Sequence, residues 1–395
     1  MTAMNMSSYQ HITPPLRLFH GPASLGQLGR ELARMHCSRA VIFCGPWMAD
    51  GPLLERVRSA LGDRCAGVYS NVLAHSPVDA VEAAAEELRR LNADAVIAVG
   101  GGSVIVTARA ASILAAENKP AQELCTVIDD KGQLRSPKLL APKLPQLIIP
   151  TTPTTAIVKA GSAVFDPVQG QRLALFDPKT RAQCVFIDPE LILSAPRALV
   201  AAASINTMSM AIEGLISKTG DPISDALLMQ VLRFMSQHLS DPARLDDPAV
   251  RGDLVVAGVM CGQGTDHTAA GITTVLGHAM GARYEKDNGL VNAIVLPHVL
   301  RFNAEAAAPG LVKVAAALGV GLPRANKATQ LQMTIDTVTG IFNALGVPSQ
   351  LRALGVLRED LPELARLSMG DWFLRGNPRR VLAAAELQQL MEAAW

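Results

Sequence analysis

The stretch that most constrains this chain is AVIAVGGGSVIVTARA, residues 95–110. Residues 95–99 form a short apolar run, rich in β-branched side chains, with the length of a buried strand. The run breaks at Gly100, Gly101, Gly102 and Ser103 before a helix-compatible segment begins. A strand, a glycine turn and a helix in that order belong to an α/β layer. Glycine lets the backbone approach a bulky anion, and the N–H groups that open a helix favour negative charge, so the turn suits a pyrophosphate. The same four residues also read as a tight turn in an ordinary α/β domain, because GGGS is shorter than a full dinucleotide fingerprint.

A chain of 395 residues exceeds one core of common size, and two domains are expected. With 49% hydrophobic and 18% charged residues it can bury a large core and is not a disordered chain. The formal net charge is +1, and no basic stripe is interleaved with aromatics, so the expected partner is a small molecule and not a nucleic acid. Cys37, Cys44, Cys65, Cys125, Cys184 and Cys261 are scattered, without C-x-x-C or zinc spacing, and read as reduced, mostly packed thiols. The first fifteen residues lack a charged start followed by an apolar run, and the Ala-rich segments are interrupted by Arg, Glu and Asn. No secretory signal, no membrane association and a cytoplasmic location are expected.

Pattern places strands near 15–19, 40–44, 68–72, 95–99, 146–149 and 184–187, and a hairpin of 163–166 with 173–176. Helices are expected over 25–35 with Ser24 as N-cap, over 53–61 and over 78–91; residues 129–145 read as a surface loop. Strands alternating with helices at this spacing argue for a parallel, doubly wound sheet. Beyond Asp188 the texture changes to helical periodicity at 198–218, 221–239, 254–260, 290–302, 311–318, 328–345 and 384–395. The domain boundary is therefore placed at 188/189, with a helical bundle as the second half.

Several stretches, taken together, resemble the iron-containing alcohol dehydrogenase family. They are FHGPASLGQL, GGGSVIVTARA, IPTTPTTA, FIDPELILSAP, AAASINTMSMAIEGLIS, GHAMGARYEKDNGLVNAIVLPHVLRFN, LGVPSQLRALGV and NPRR, and they follow the family's order and spacing across nearly the whole chain. The family's relatives include maleylacetate reductases, and its wider fold group includes dehydroquinate synthase and glycerol dehydrogenase. The resemblance implies a Rossmann-like dinucleotide-binding α/β domain over 1–188, an all-helical substrate domain over 189–395, a cleft between them, and a homodimer.

Carried over by position, the resemblance has Gly100, Gly101, Gly102 and Ser103 embrace the pyrophosphate and Thr151, Thr152 and Thr155 line the nicotinamide side. A capped turn at a strand end is the alternative for the threonines. Arg172 stands where the family usually has a lysine near the cofactor ribose. The family's aspartate and lysine after GGGS are here Val106 and Arg109. Cys44 and Gly45 occupy the place of the acidic residue that would accept hydrogen bonds from a ribose 2′-OH, so both NAD and NADP stay open.

Family members bind one Fe²⁺ or Zn²⁺ through an aspartate and three histidines; the matching positions here are Asn206, Met210, Thr274 and Asn288. Two amides, a thioether and a hydroxyl supply neither anionic nor imidazole donors, and no catalytic metal is expected. His278 matches a family histidine that lies near the substrate without being a ligand. In the metal's absence a protonated imidazole or another cation must stabilise the developing oxyanion, which makes His278 the first candidate, with Lys159 and Arg283 as candidate anchors for an anionic substrate. A structural role is the alternative for His278, and Asp266-His267 reads as a solvated loop or cap. The expected function is a metal-independent NAD(P)-dependent dehydrogenase or reductase on a small oxo or hydroxy compound. Non-redox lyase, hydratase or isomerase chemistry on the same fold, or a cofactor-binding pseudoenzyme, are the alternatives.

Overall fold

The computed structural model describes residues 8–129, 133–320 and 326–395. Its strands are β1 (Arg17–His20), β2 (Ala40–Phe43), β3 (Cys65–Tyr69), β4 (Ala95–Gly100), β5 (Val127–Ile128), β6 (Leu134–Arg135), β7 (Gln146–Pro150), β8 (Gly161–Asp166), β9 (Gln171–Phe176) and β10 (Ala182–Ile187). The first six helices are α1 (Leu28–Arg34), α2 (Pro52–Leu61), α3 (Val78–Arg90), α4 (Gly102–Glu117), α5 (Ala121–Leu124) and α6 (Pro189–Leu193). Then follow α7 (Arg197–Ile216), α8 (Pro222–Leu239), α9 (Pro248–Gly264), α10 (Ile272–Tyr284), α11 (Asn288–Asn303), α12 (Ala308–Leu318), α13 (Lys327–Ala344), α14 (Leu361–Ser368) and α15 (Ala384–Ala394).

The chain divides into two compact units. One holds Pro15–Val200 with Leu245–Gly262; the other holds residues 8–14, Ala201–Arg244 and Gln263–Trp395. In the α/β unit six parallel strands lie in the order β1-β10-β7-β4-β2-β3. Side chains alternate across a strand, so Ile42, Ile97 and Ile149 pack with Leu28, Leu32, Leu54 and Val57 on one side of the sheet. Val41, Phe43, Val96, Ala98 and Ile148 pack on the other with Val81, Ala84, Leu88, Ile105 and Ala108 of α3 and α4. The strand order reverses at β2: β3 lies on one side of it and β4 on the other, which opens a crevice beyond their carboxyl ends.

The parallel sheet, the β8/β9 hairpin and the helical second half agree with the sequence reading, and several details differ. Ser24 does not cap a helix with its side chain: its backbone is already helical, at φ −60 and ψ −45, and its hydroxyl makes no cap hydrogen bond. Asp188 does cap, accepting from the amides of Glu190 and Leu191 at 3.0 and 3.2 Å. Strand β3 begins at Cys65, three residues before the expected run, because pairing to β2 aligns Ala40 with Cys65 and Phe43 with Tyr69. The 129–145 stretch, of which 130–132 lie outside the described residues, is more than a surface loop. Leu134 and Arg135 pair with β5, and the Lys143 side chain is fully buried between Glu117 (2.6 Å) and Asp177 (3.2 Å). Helix α9 runs from Pro248, well before the expected 254, and its segment up to Gly262 packs within the α/β unit. Helices α10 and α14 were not foreseen from periodicity. By length and apolar composition α7 could cross a membrane, but 78% of its most apolar window is buried inside the molecule, as in a core helix.

Candidate active site

In the α/β unit the glycine turn after β4 meets the threonine segment after β7. Gly100 ends β4 at φ +154, where a side chain is strained, and a Cβ there would lie 2.6 Å from Val104 Cγ2. Gly101 and Gly102 then deliver the chain into α4, whose first turn has no acidic residue. The neighbouring strand β7 ends beside this turn: Gly100 is in register with Pro150, and the Thr151 amide donates to the Gly100 carbonyl at 3.1 Å. A Cβ on Gly101 would sit 3.0 Å from Thr152 Oγ1, and one on Gly102 would sit 3.6 Å from Thr154 Oγ1. The structure thus brings Gly100, Gly101, Gly102, Thr151 and Thr152 into one polar cradle, and Gly45 follows β2 on the other side of the crevice. Ser103 turns outward to the loop before α3, with Oγ accepting from the His75 amide and its carbonyl from Ser76 Oγ. These features fit a dinucleotide: glycines let the turn close on the threonine segment, and the amides that open α4, with no acidic residue in its first turn, favour a phosphate.

Thr154, absent from the sequence-based set, caps a short 3-10 turn, Thr155–Ile157, by accepting from the Ala156 amide at 3.2 Å. That turn is held from below by Arg109. Its guanidinium is fully buried and donates to the carbonyls of Ala156 (2.6 Å) and Gly161 (2.8 Å) and to Gln146 Oε1 (3.3 Å). Burial, with a smaller contribution from the Arg181 charge, pushes it down to about 9, so it remains a cation at neutral pH. Arg109 therefore fastens α4 to the threonine segment as an internal tie. Lys159 lies just past the turn and is half-buried; its charge acts on Cys261, whose thiol burial pushes up to about 12. Arg172 lies on β9, opposite Phe165 of β8.

In the helical unit the residues singled out from the sequence gather around α10. Thr274 and His278 are one turn apart and share a side of the helix. Thr274 Oγ1 donates to Glu213 Oε2 at 2.5 Å, and the amides of Thr273 and Thr274 donate to the same carboxylate. Full burial pushes Glu213 up, opposed by the Thr274 hydroxyl and those amides. On α7, Asn206 Nδ2 donates to Met210 Sδ at 3.8 Å, and the Asn292 amide lies 2.9 Å from Asn206 Oδ1. With its amide turned over, Asn292 donates instead to the carbonyls of Asn288 (3.1 Å) and Thr273 (3.0 Å). Asn206 and Met210 are thus bonded to each other, Thr274 is turned to Glu213, and the Asn288 Oδ1 atom is buried without a hydrogen-bond partner. Two glycines permit this closeness: a Cβ on Gly277 would be 2.2 Å from Asn292 Oδ1, and one on Gly281 2.2 Å from Asn288 Oδ1. The donor set does not fit Fe²⁺ or Zn²⁺: no imidazole or carboxylate stands at any of the four positions, and Thr274 Oγ1 is engaged with Glu213.

His278 has a partner that the sequence reading missed. Its Nδ1 lies 3.5 Å from Asp371 Oδ2, while Asp371 Oδ1 accepts from the Phe373 amide at 2.9 Å and the Phe373 ring packs 5.7 Å from the imidazole. The carboxylate is thereby anchored and orients the ring, and the imidazole stays a quarter exposed. Asp371 stands 93 residues away in a short D-W-F segment with no pattern of its own, so only the folded chain pairs it with His278. Arg283 is about 140° around the helix from His278 and is paired with Asp360, which also accepts from the Tyr284 hydroxyl. Its charge is engaged at the surface.

Residues 15–189 match the family model described as iron-containing alcohol dehydrogenase, and residues 200–395 match that of the same family's C-terminal domain. The chain belongs to the iron-containing alcohol dehydrogenase family. It is 27% identical over 380 residues to lactaldehyde reductase of Escherichia coli K12, covering 95% of this chain and 97% of that one. It is likewise 27% identical to maleylacetate reductase of Sphingobium indicum over 96% of this chain and 95% of that one. Among solved structures, sulfoacetaldehyde reductase from Bifidobacterium kashiwanohense, in complex with NAD⁺, superposes with a TM-score of 0.84 at 19% identity, over 98% of this chain and 99% of that one. Such enzymes transfer hydride between a nicotinamide cofactor and an alcohol or aldehyde, and membership in the family makes this chain an oxidoreductase of that kind.

Proposed function

We propose that this family member reduces or oxidises a small oxo or hydroxy compound with NAD(H) or NADP(H), without a catalytic metal. The observation that carries the reading is the set of side chains at 206, 210, 274 and 288: two amides, a thioether and a hydroxyl, with Asn206 bonded to Met210, Thr274 turned to Glu213, and His278 one turn from Thr274. The cofactor, when bound, supplies or accepts the hydride. Gly100–Ser103 and α4 would hold its phosphates, and Thr151, Thr152 and Thr155 its nicotinamide side.

His278 holds the proton for the substrate oxygen. With Nδ1 facing the Asp371 carboxylate at 3.5 Å, Nε2 would give a proton or a strong hydrogen bond as negative charge develops on a carbonyl oxygen. Asp371 is a positioning residue in this scheme. Lys159 is the first candidate for binding an anionic group on the substrate, ahead of Arg283, whose charge Asp360 already engages. No carboxylate follows β2, where Cys44 and Gly45 stand, which leaves a 2′-phosphate unopposed and keeps NADP(H) alongside NAD(H).

The test is calorimetric titration with NADH and NADPH, followed by a panel of aldehydes, 2-oxo acids and hydroxy acids monitored at the nicotinamide absorbance with and without chelator. Cofactor binding followed by chelator-insensitive turnover is expected. Binding without turnover across the panel would favour non-redox chemistry or a pseudoenzyme, and failure to bind either cofactor at millimolar concentration would remove the redox reading.

A further inference from the structure

A second set of metal-type donors lies in the helical unit, at none of the family's ligand positions. His11, from the segment before β1, places Nδ1 3.1 Å from Oδ2 of Asp221, the residue that caps α8. His267, in the turn after α9, stacks its ring on that of His11 with centroids 4.0 Å apart. One ligand atom from each of the three residues lies within 4.8 Å of the other two, the one such group of His, Cys, Asp and Glu among the described residues. The side chains of His11 and Asp221 are only 8% and 2% exposed. His267 is partly buried in that turn, its ring packed on His11.

We propose that His11, Asp221 and His267 bind one divalent transition-metal ion of the zinc class. Two imidazoles and a carboxylate are a complete protein donor set for such an ion, with a fourth position left for water. Donors at zinc distances of about 2.0–2.2 Å stand roughly 3.4 Å apart in a tetrahedral shell, so the cluster must contract by little more than an ångström. Outer bonds already orient the donors. Asp221 Oδ1 accepts from the amides of Ile223 (2.9 Å) and Ser224 (3.1 Å), Oδ2 also accepts from Ser224 Oγ (2.8 Å), and His267 Nε2 lies 3.0 Å from the Ile12 carbonyl. Hydrogen bonds of this kind fix the tautomer and direction of metal-bound imidazoles and carboxylates. One dication at this spot would face both imidazole lone pairs and the carboxylate together. An ion there would pin residues 8–14 to the start of α8.

The test uses the tag-free full chain, stripped with chelator and titrated with Co²⁺, with Zn²⁺ as competitor and the cobalt d–d bands as the signal. One Co²⁺ per chain, displaced by Zn²⁺, is expected. His11→Gln and His267→Gln should each weaken binding on the order of tenfold or more, with circular dichroism showing the fold intact, while Asn206→Ala and Met210→Ala leave it unchanged. Should a variant not fold, wild-type protein modified with diethyl pyrocarbonate and mapped by peptide gives the same answer: saturating Zn²⁺ is expected to protect His11 and His267. No saturable binding, binding lost in the 206 and 210 variants but kept in the histidine variants, or unprotected His11 and His267 would each overturn the proposal.

Discussion

At the residue scale the proposed chemistry rests on one imidazole and the carboxylate 3.5 Å from it. Replacing His278 by Ala should lower kcat by about 10² to 10⁴ fold with cofactor affinity unchanged, the range for loss of a general acid. If kcat does not move, His278 is structural, and Lys159→Ala and Arg283→Ala become the variants to measure. Asp371→Asn keeps a polar neighbour but removes the charge beside the imidazole, so kcat should fall by roughly tenfold with cofactor affinity unchanged. An unchanged kcat would make Asp371 only a cap for the Trp372–Gly376 turn. Stability has its own pH signature in the α/β unit. Burial opposes ionisation of Glu31, but Arg34, Arg17 and the Cys184 thiol hold it below its ordinary value, and the Lys179 and Lys143 pairings do the same for Asp177. Because these folded-state values lie below the unfolded ones, their contribution is complete above about pH 4 to 5 and is lost as pH falls further. Urea melts at pH 7 and pH 3.5 should show that loss, and Glu31→Gln should flatten part of it.

At the element scale the site is shaped by pairs of glycines four residues apart on helices. Gly258 and Gly262 of α9 lie against the threonine segment: a Cβ at 258 would be 2.9 Å from the Thr154 nitrogen, and one at 262 would be 2.4 Å from Val158 Cγ2 and 2.9 Å from the Thr155 carbonyl oxygen. Gly262→Ala should therefore destabilise the protein by about 1–3 kcal/mol and weaken cofactor binding by displacing Thr155. Gly340→Ala in α13, where a Cβ meets nothing within 4 Å, should instead stabilise by up to about 1 kcal/mol. Thermal melts of the two variants moving in the same direction would contradict this account. The same glycines explain what the sequence concealed. Helix α10, with Gly277 and Gly281 lying against Asn292 and Asn288, has small residues where periodicity looks for large apolar ones. Strand β4 and its glycine turn were legible because a five-residue β-branched run ending in glycines has few other uses. Lys143 and Arg109 were not, since a charged residue buried by partners far along the chain looks like any surface residue in sequence.

At the scale of the whole molecule, the parallel sheet and the helical second half followed from patterning and from motifs spread over the chain, whereas the strand order and the side-chain pairings did not. Asp371 with His278, and His11 with Asp221 and His267, each join positions between about 50 and 260 residues apart and carry no local signal. Cofactor binding tests the α/β half alone. Gly101→Val places a branched side chain at the position 3.0 Å from Thr152 Oγ1, in a backbone conformation that non-glycine residues accept, so NAD(P)H affinity should fall by well over tenfold with the fold preserved. The central claim is that a family built around a metal-polarised oxygen here works with neutral side chains at all four ligand positions and an imidazole beside them. It is tested most directly by steady-state turnover of a carbonyl substrate with NADH or NADPH, measured on chelator-treated enzyme with excess chelator present and again after addition of Fe²⁺ or Zn²⁺. The account predicts equal rates in both conditions, with His278→Ala slow in each; activity abolished by chelation and restored by the metal would contradict it.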